Sequence, residues 1–166
     1  MEKCSKCYKY ICKYFYNLYI HRKLTTLDYS KTPWLSLNKE IILARVVDVY
    51  DGDTITIIFN LSGTFYKEKC RLANIDTAEI RTKNIEEKKV ALETKKFLSN
   101  IILDRIIYIK CGKWDKFGRL LGYLYLQEKD IKKDDSINNL LLNNGMAYQY
   151  SGKTKEKFDN WKEIHI

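Results

Sequence analysis

The sequence predicts an α+β fold in which a five-stranded β-barrel carries about three helices and follows a basic, aromatic N-terminal extension. Three observations favour this fold. Three β-rich runs with short polar turns occupy residues 41–75, residues 85–102 switch to a helical period, and two more β-rich runs occupy residues 105–126. The chain has 166 residues, of which 45% are hydrophobic, so it can bury one substantial core.

The first three strands are predicted to form a β-meander. The runs "IILARVVDVY" (41–50) and "TITIIF" (54–59) flank an Asp-Gly pair, which is the strongest short signal for a β-hairpin. The segment "LSG" (61–63) predicts a second turn, and "TFYKEKCRLANI" (64–75) predicts the third strand. Strands joined by such short turns pair in sequence order.

A helix and two more strands are predicted to follow. Helical spacing places six side chains of residues 85–102 on one face: Val90, Thr94, Phe97, Leu98, Ile101 and Ile102. The runs "RIIYIKC" (105–111) and "RLLGYLYL" (119–126) return to the strand pattern on either side of the polar segment "GKWDKFG". Five strands with a helix between the third and the fourth fit a Greek-key barrel of the OB type.

Two shorter helices are predicted near the C-terminus. The segment "SINNLLLNNG" (136–145) predicts a helix with Ser136 as its N-cap and Gly145 as its stop. A last helix is predicted over residues 153–161.

The N-terminal quarter differs from the predicted barrel domain. Residues 1–23 form the basic, aromatic extension, in which six residues fall at helical spacing: Tyr8, Ile11, Cys12, Phe15, Leu18 and Tyr19. Residues 24–40 contain the only proline and predict a linker, which leaves residues 41–166 as the barrel domain. Lysines interrupt every apolar stretch of the extension, so it predicts neither a clean secretory signal nor a membrane span. We expect it to contact a membrane surface, nucleic acid or a protein, or to pack on the domain.

The chain is strongly basic, with a formal net charge of +9. Residues 1–40 hold 8 Lys and Arg against 3 Asp and Glu, whereas residues 41–166 hold 22 against 18. This balance favours a polyanionic partner or an acidic surface without identifying either, and the alternative is a basic, solvated surface. The charge balance predicts no particular oligomeric state.

The five cysteines are an odd number, which a closed set of disulfides cannot use. We therefore expect reduced thiols and an intracellular protein. Cys4 and Cys7 have the spacing of half a zinc site, but the sequence has no second such pair, so zinc is not the favoured metal.

Four short stretches hold charged residues that a plain barrel does not need. They are "DGDT" (51–54), Arg71, "DTAE" (76–79) and "DKFGR" (115–119). A hard cation prefers oxygen ligands, and Asp53 and Asp76 can supply two carboxylates.

The remaining charged residues of these stretches suit phosphodiester hydrolysis. Glu79 can act as the base that activates water, and Arg71 and Arg119 can grip the phosphoryl oxygens. Each residue also has a structural alternative. Arg71 alternates with Lys67 and Lys69 and could belong to a solvated basic face, residues 76–77 could cap a helical turn, and residues 118–119 could end a hairpin.

The motifs together resemble the staphylococcal-type nucleases, or thermonucleases. The matching segments, in family order over residues 41–152, are "VVDVYDGDTITI", "RLANIDTAE", "DKFGRLLGYLYL" and "INNLLLNNGMA". The resemblance implies a five-stranded OB barrel that cleaves DNA and RNA with calcium and leaves a 3′-phosphate.

The resemblance also implies roles for individual residues. Asp53 and Asp76 would be the calcium carboxylates, Thr77 would contribute its backbone carbonyl, and Asp51 would support the metal site. Glu79 would be the general base or would position the attacking water. Arg71 and Arg119 would bind the scissile phosphate and stabilise the pentacoordinate transition state. Four residues are expected to contact nucleic acid: Lys116, Phe117, Tyr148 and Tyr150.

Three departures from the family pattern concern the substrate side of the site. Ala78 replaces a common proline, Phe117 replaces a frequent tyrosine, and the segment "IRTKNIEEKK" (80–89) is short. The leading hypothesis is a calcium-dependent nuclease of DNA, RNA or both. The alternatives are an inactive nucleic-acid-binding module on the same fold and a membrane-surface or structural protein. For Tyr148 and Tyr150, the alternative to stacking on a nucleobase is packing at the end of the barrel.

Overall fold

The computed structural model describes residues 2–28, 30–152, 155, 157 and 158, with side chains from residue 11 onward. The chain forms two compact units that divide between Leu35 and Ser36. Most of the helix predicted over residues 153–161 lies outside the described residues.

The first unit consists of helix α1 and the segment that follows it. Helix α1 (Glu2–Thr26) confirms that the extension is helical, and it continues past the predicted limit at residue 23. Ile11, Phe15 and Leu18 are exposed on it. Within the described part of the chain, no helix combines the length and the apolar character needed to cross a membrane.

The second unit is built on the predicted five-stranded barrel. The strands are β1 (Ile41–Val49), β2 (Thr54–Leu61), β3 (Thr64–Leu72), β5 (Ile106–Trp114) and β6 (Leu120–Tyr125). They close in the order β1-β2-β3-β6-β5, and only the β3–β6 pair is parallel. This order confirms the mixed, OB-type barrel of an α+β fold.

In the described residues of this unit, three helices and a two-stranded pair accompany the barrel. The helices are α2 (Ile85–Ile102), α3 (Glu128–Lys133) and α4 (Ile137–Asn143), of which α3 is not predicted by the sequence. Strands β4 (Ile75–Asp76) and β7 (Tyr148–Gln149) pair with each other and also go beyond the prediction. The pairing of β4 with β7 places the end of the third predicted β-rich run next to the segment that follows α4.

The barrel core follows the strand alternation, and the pairing register shifts once in β1 and once in β5. Ala44 and Val46 face inward, but the pairing register slips between Val46 and Asp48, so Val49 rather than Asp48 is buried next. A bulge of this kind bends a strand locally. The strand therefore ends on a buried residue directly before the turn that carries Asp51 and Asp53.

The barrel unit begins before the predicted domain start at residue 41. Leu37 is buried in the core, the N–H of Lys39 donates to the carbonyl of Cys111 at 2.8 Å, and the N–H of Cys111 donates to the carbonyl of Glu40 at 2.8 Å. These contacts attach residues 37–40, predicted as part of the linker, to β5.

The start of α4 confirms the predicted cap, because the Ser136 Oγ accepts from the N–H of Asn139 at 3.2 Å. The buried Asn138 side chain accepts from the N–H of Leu124 at 3.1 Å and donates to the carbonyls of Ala73 (2.9 Å) and Gly122 (3.2 Å). One side chain thus joins α4, β6 and the end of β3 through backbone groups.

Candidate active site

The four charged stretches meet at one end of the barrel, around an open cleft of about 650 Å³. The β1–β2 turn, the end of β3, the loop after β4 and the β5–β6 turn each contribute to its lining. The structure therefore brings the four stretches together, although Asp51 and Arg119 are 68 positions apart in the sequence.

The Asp51 side chain organises the β1–β2 turn. Its Oδ1 accepts from the N–H groups of Asp53 (3.1 Å) and Thr54 (2.7 Å). Asp53 is then buried, and the Thr54 hydroxyl donates to its Oδ1 at 2.8 Å. The predicted Asp-Gly turn is present, and it places the Asp53 carboxylate inside the site.

Gly52 is needed in this turn for space. It does not adopt a positive φ, but a Cβ added there would lie 2.7 Å from the Thr94 Cγ2 and 2.8 Å from the Thr77 Oγ1. The absence of a side chain lets the turn approach both α2 and the loop after β4. The close approach keeps Asp53 beside that loop.

We expect Gly52→Ala to lower the free energy of unfolding by about 1–3 kcal/mol, because the added methyl overpacks this contact. Urea unfolding of the metal-free protein measures the change. Adding Thr94→Ser removes the closer of the two atoms while keeping the hydroxyl, which donates to the carbonyl of Val90 at 2.9 Å. The double variant should recover part of the loss, and a Gly52→Ala protein as stable as the wild type would contradict this packing argument.

Arg71 lies at the end of β3 and joins two buried aspartates. Its Nη1 pairs with the Asp53 Oδ2, and its Nη2 donates to the Asp76 Oδ1 at 2.6 Å and to the carbonyl of Ile75 at 3.2 Å. Lys67 precedes Arg71 on the same strand and is exposed. Arg71 follows the same alternation, but its pairing with two buried aspartates separates it from a solvated basic face.

The two aspartates differ in their proton affinity. Burial raises the pKa of Asp53 to about 7 against the lowering effect of Arg71, and the charges of Asp51 and Asp76 raise it further. Burial also raises the pKa of Asp76, but hydrogen bonds and charges from Tyr148, Lys155 and Arg71 outweigh it, so this pKa lies below its ordinary value. Neighbouring groups therefore compensate the negative charge of Asp53 less fully than that of Asp76.

Tyr148 and Tyr150 take different positions. Tyr148 is buried, packs in a small cluster with Ala78 and Ala91, and donates its hydroxyl to the Asp76 Oδ2 at 2.6 Å. This position differs from the nucleobase contact expected for Tyr148 and agrees with the packing alternative. Tyr150 lines the cleft, with the Arg71 Cζ at 5.8 Å from its ring centroid.

Glu79 lies on the loop after β4, with its side chain 52% exposed. One of its carboxylate oxygens pairs with the Lys155 ammonium, which also lies 3.1 Å from the Asp76 Oδ1. The neighbouring Ala78 is buried, so the position that departs from the family's proline packs against the interior.

Arg119 reaches the site from the β5–β6 turn. Asp115 accepts from the Arg119 Nε (2.8 Å) and from its backbone N–H (2.9 Å), and the Arg119 Nη1 donates to the Thr54 Oγ1 at 3.3 Å. Gly118 takes a φ of +76°, which closes the turn before Arg119. Phe117 is 72% exposed at the tip, with the Lys116 Nζ at 5.1 Å from its ring centroid.

These contacts form one continuous network from Arg119 through Thr54 and Asp53 to Arg71 and Asp76. Three of its members were not predicted as site residues: Thr54, Asp115 and Lys155. Thr54 and Asp115 lie within the quoted motifs, which could have pointed to them. Lys155 is one lysine of a lysine-rich segment, and no sequence pattern distinguishes it.

The donor set suits a hard divalent cation. Five carboxylates lie in the network or line the cleft (Asp51, Asp53, Asp76, Glu79 and Asp115), and three cations pair with members of this set (Arg71, Arg119 and Lys155). Among the described residues, no three Asp, Glu, His or Cys side chains come together in a group that could hold a metal ion. A cation here would therefore combine the carboxylates of Asp53 and Asp76 with backbone carbonyls and water, which is a combination that calcium accepts.

Comparison with known proteins finds a matching family and relatives that are named as endonucleases. A model of the family described as "Staphylococcal nuclease homologue" matches residues 69–165, which include Arg71, Asp76, Glu79 and Arg119. The chain is 28% identical over 133 residues to an "Uncharacterized endonuclease" of Haemophilus influenzae, covering 79% of this chain and 66% of that protein. It is 28% identical over 130 residues to "Endonuclease YncB" of Bacillus subtilis, covering 75% of this chain and 57% of that protein. The chain thus spans less than two thirds of either relative.

Proposed function

This chain belongs to the staphylococcal nuclease family, and on that premise we propose that it is an endonuclease that uses calcium to hydrolyse phosphodiester bonds of DNA, RNA or both. One observation carries the proposal. Arg71 and Arg119, 48 positions apart, both line the cleft, together with Asp53 and Glu79. Arg71 also pairs with Asp76, which is buried. A barrel without a catalytic role has no need for this meeting of opposite charges.

Asp53 and Asp76 are the residues that would hold calcium, with the backbone carbonyl of Thr77. Bound calcium would supply positive charge beside the phosphate and a place for the attacking water. Asp51 supports this set, because its carboxylate fixes the backbone of the turn that carries Asp53. Tyr148 supports it from the other side through its hydrogen bond to Asp76.

Glu79 is the proposed general base. Its carboxylate is half exposed at the cleft and lies within reach of the same ammonium that contacts Asp76. From this position it accepts a proton from the water that attacks phosphorus, or holds that water in line. The bond from phosphorus to the 5′ oxygen then breaks, this oxygen takes up a proton from solvent and leaves as a 5′-hydroxyl, and the other product ends in a 3′-phosphate.

The two arginines are the proposed stabilisers of the transition state. Charge accumulates on the phosphoryl oxygens as the water attacks, and fixed donors aimed at these oxygens lower the barrier. Asp115 holds the Arg119 Nε, so the guanidinium keeps one orientation before substrate arrives. Asp53 and Asp76 do the same for Arg71.

The rim of the cleft suits a single-stranded polyanion. Lys69, Lys116 and the exposed ring of Phe117 line it together with Tyr150. Lysines attract the phosphate backbone, and an exposed ring can stack a nucleobase of any sequence. These residues support substrate binding without a strong sequence preference.

The test is cleavage of single-stranded DNA and RNA by purified protein in calcium, in magnesium and in EDTA. We expect cutting in calcium, less in magnesium because it demands stricter octahedral geometry, and none in EDTA. The double variant Glu79→Ala, Arg119→Ala excludes a contaminating nuclease and should not cut. Nucleic acid that is bound in EDTA but never cut would overturn the catalytic proposal and favour the binding module.

A further inference from the structure

Lys155 holds an unusual place for a lysine. Its ammonium lies 3.1 Å from the Asp76 Oδ1 and pairs directly with a Glu79 oxygen. It thus bridges the proposed metal ligand and the proposed general base.

The oxygens that Lys155 contacts belong to the same set that calcium would use. The Asp76 Oδ1 faces Lys155 and Arg71, and the Asp76 Oδ2 accepts from Tyr148. Positive charges at one carboxylate edge repel each other, so each cation added there costs free energy. A divalent cation that enters beside Asp76 would be the third at this edge and therefore opposes the Lys155 contact.

Lys155 is the more movable of the two cations at Asp76. The Lys155 side chain is 46% exposed, whereas the Arg71 side chain is 9% exposed and also holds the buried Asp53. Releasing Lys155 returns its ammonium to water, while releasing Arg71 would leave a buried charge without compensation. Metal entry is thus expected to displace Lys155 and to leave Arg71 in place.

We propose that Lys155 is an internal counter-ion that occupies the carboxylate edge of Asp76 and Glu79 in the metal-free protein and competes with the divalent cation. This inference rests on the proposed function, because it takes Asp76 as a metal ligand. It makes Lys155 a regulator of calcium affinity, since calcium binding and the Lys155 contacts oppose each other.

Calorimetric titration with calcium chloride, without nucleic acid, tests the competition directly. We expect Lys155→Gln to bind calcium about tenfold more tightly than the wild type, the effect of removing a partly exposed competing ion pair. Lys155→Arg keeps the charge and should bind as weakly as the wild type. Lys157→Gln, an exposed lysine of the same segment, is the matched control for net charge and should change the affinity less than twofold.

Lysine labelling provides a second readout in the unaltered chain. Acetylation with acetic anhydride, followed by mass spectrometry, compares Lys155 with Lys157 in the same molecule. Saturating calcium should increase the Lys155 labelling rate several-fold relative to Lys157, because the released ammonium loses its carboxylate partners. A ratio that calcium does not change would overturn the proposal.

The outcomes separate the two proposals. Calcium-dependent cleavage with equal calcium affinity in the wild type and Lys155→Gln overturns the competition and leaves the nuclease intact. Absence of both calcium binding and cleavage in these proteins overturns the proposed function and the competition with it. Tighter binding by Lys155→Gln, with Lys155→Arg and Lys157→Gln at the wild-type value, supports both.

Discussion

Arg71→Met is expected to lower the free energy of unfolding of the metal-free protein by about 3 kcal/mol at about pH 8. Methionine keeps most of the side-chain volume but removes the cation that joins Asp53 and Asp76, both of which are buried. A buried carboxylate that loses its partner is among the costliest changes a core can undergo. Urea unfolding in EDTA measures the loss.

Lys69→Met is the matched control for this variant. Lys69 precedes Arg71 by two residues on β3 and carries the same charge, but it is exposed. Its replacement should change the free energy of unfolding by less than about 0.5 kcal/mol. If both variants lost the same free energy of unfolding, the pairing of Arg71 with the two aspartates would not explain its contribution to stability.

The loss from Arg71→Met should shrink as the pH falls. The pKa of Asp53 is about 7 in the folded protein, above the value of an unfolded aspartate, so the folded state binds this proton more tightly. The stability gained from that proton is complete at low pH and is lost as the pH rises toward 7. At about pH 5.5 Asp53 is largely neutral and needs Arg71 less, so only the Asp76 pair is lost. A loss that is the same at both pH values would contradict this account of Asp53.

Glu79→Gln is expected to reduce calcium-dependent cleavage by about 10²–10³-fold while leaving the fold intact. The amide keeps the shape of the side chain but cannot accept the proton of the attacking water. The Glu79 side chain is half exposed, so the exchange leaves no buried charge behind. Turnover of a single-stranded DNA oligonucleotide at saturating calcium measures the effect.

Glu93→Gln provides the control for this second variant. Glu93 is exposed on α2, and its replacement changes the net charge by the same amount. It should cleave within about twofold of the wild type, because long-range charge effects are screened at ordinary salt. A Glu79→Gln protein that retains more than half of the wild-type turnover would remove Glu79 from the role of base.

Local patterns predicted most of the architecture. Strand alternation marked the barrel strands, and helical spacing marked α2 from residue 85 to residue 102. Ser136 indicated the start of α4 by its capping side chain. Each of these signals involves residues that lie a few positions apart in the sequence, so it can be recognised without knowledge of the fold. The short strands β4 and β7 were missed because a two-residue strand has no period to detect.

The pairing of segments that are distant in the sequence determined which residues form the site. By alternation alone Lys67, Lys69 and Arg71 are equivalent, and only the neighbouring Asp53 and Asp76 make Arg71 a buried cation. Tyr148 likewise became a partner of Asp76 because β7 pairs with β4.

The sequence by itself determined the strand and helix pattern and the identity of the charged motifs. The tertiary structure alone decided which charges meet, including the Lys155 bridge between Asp76 and Glu79. The physical reason is that alternation and capping act through neighbouring residues, whereas burial and ion pairing depend on groups that the closed barrel brings together.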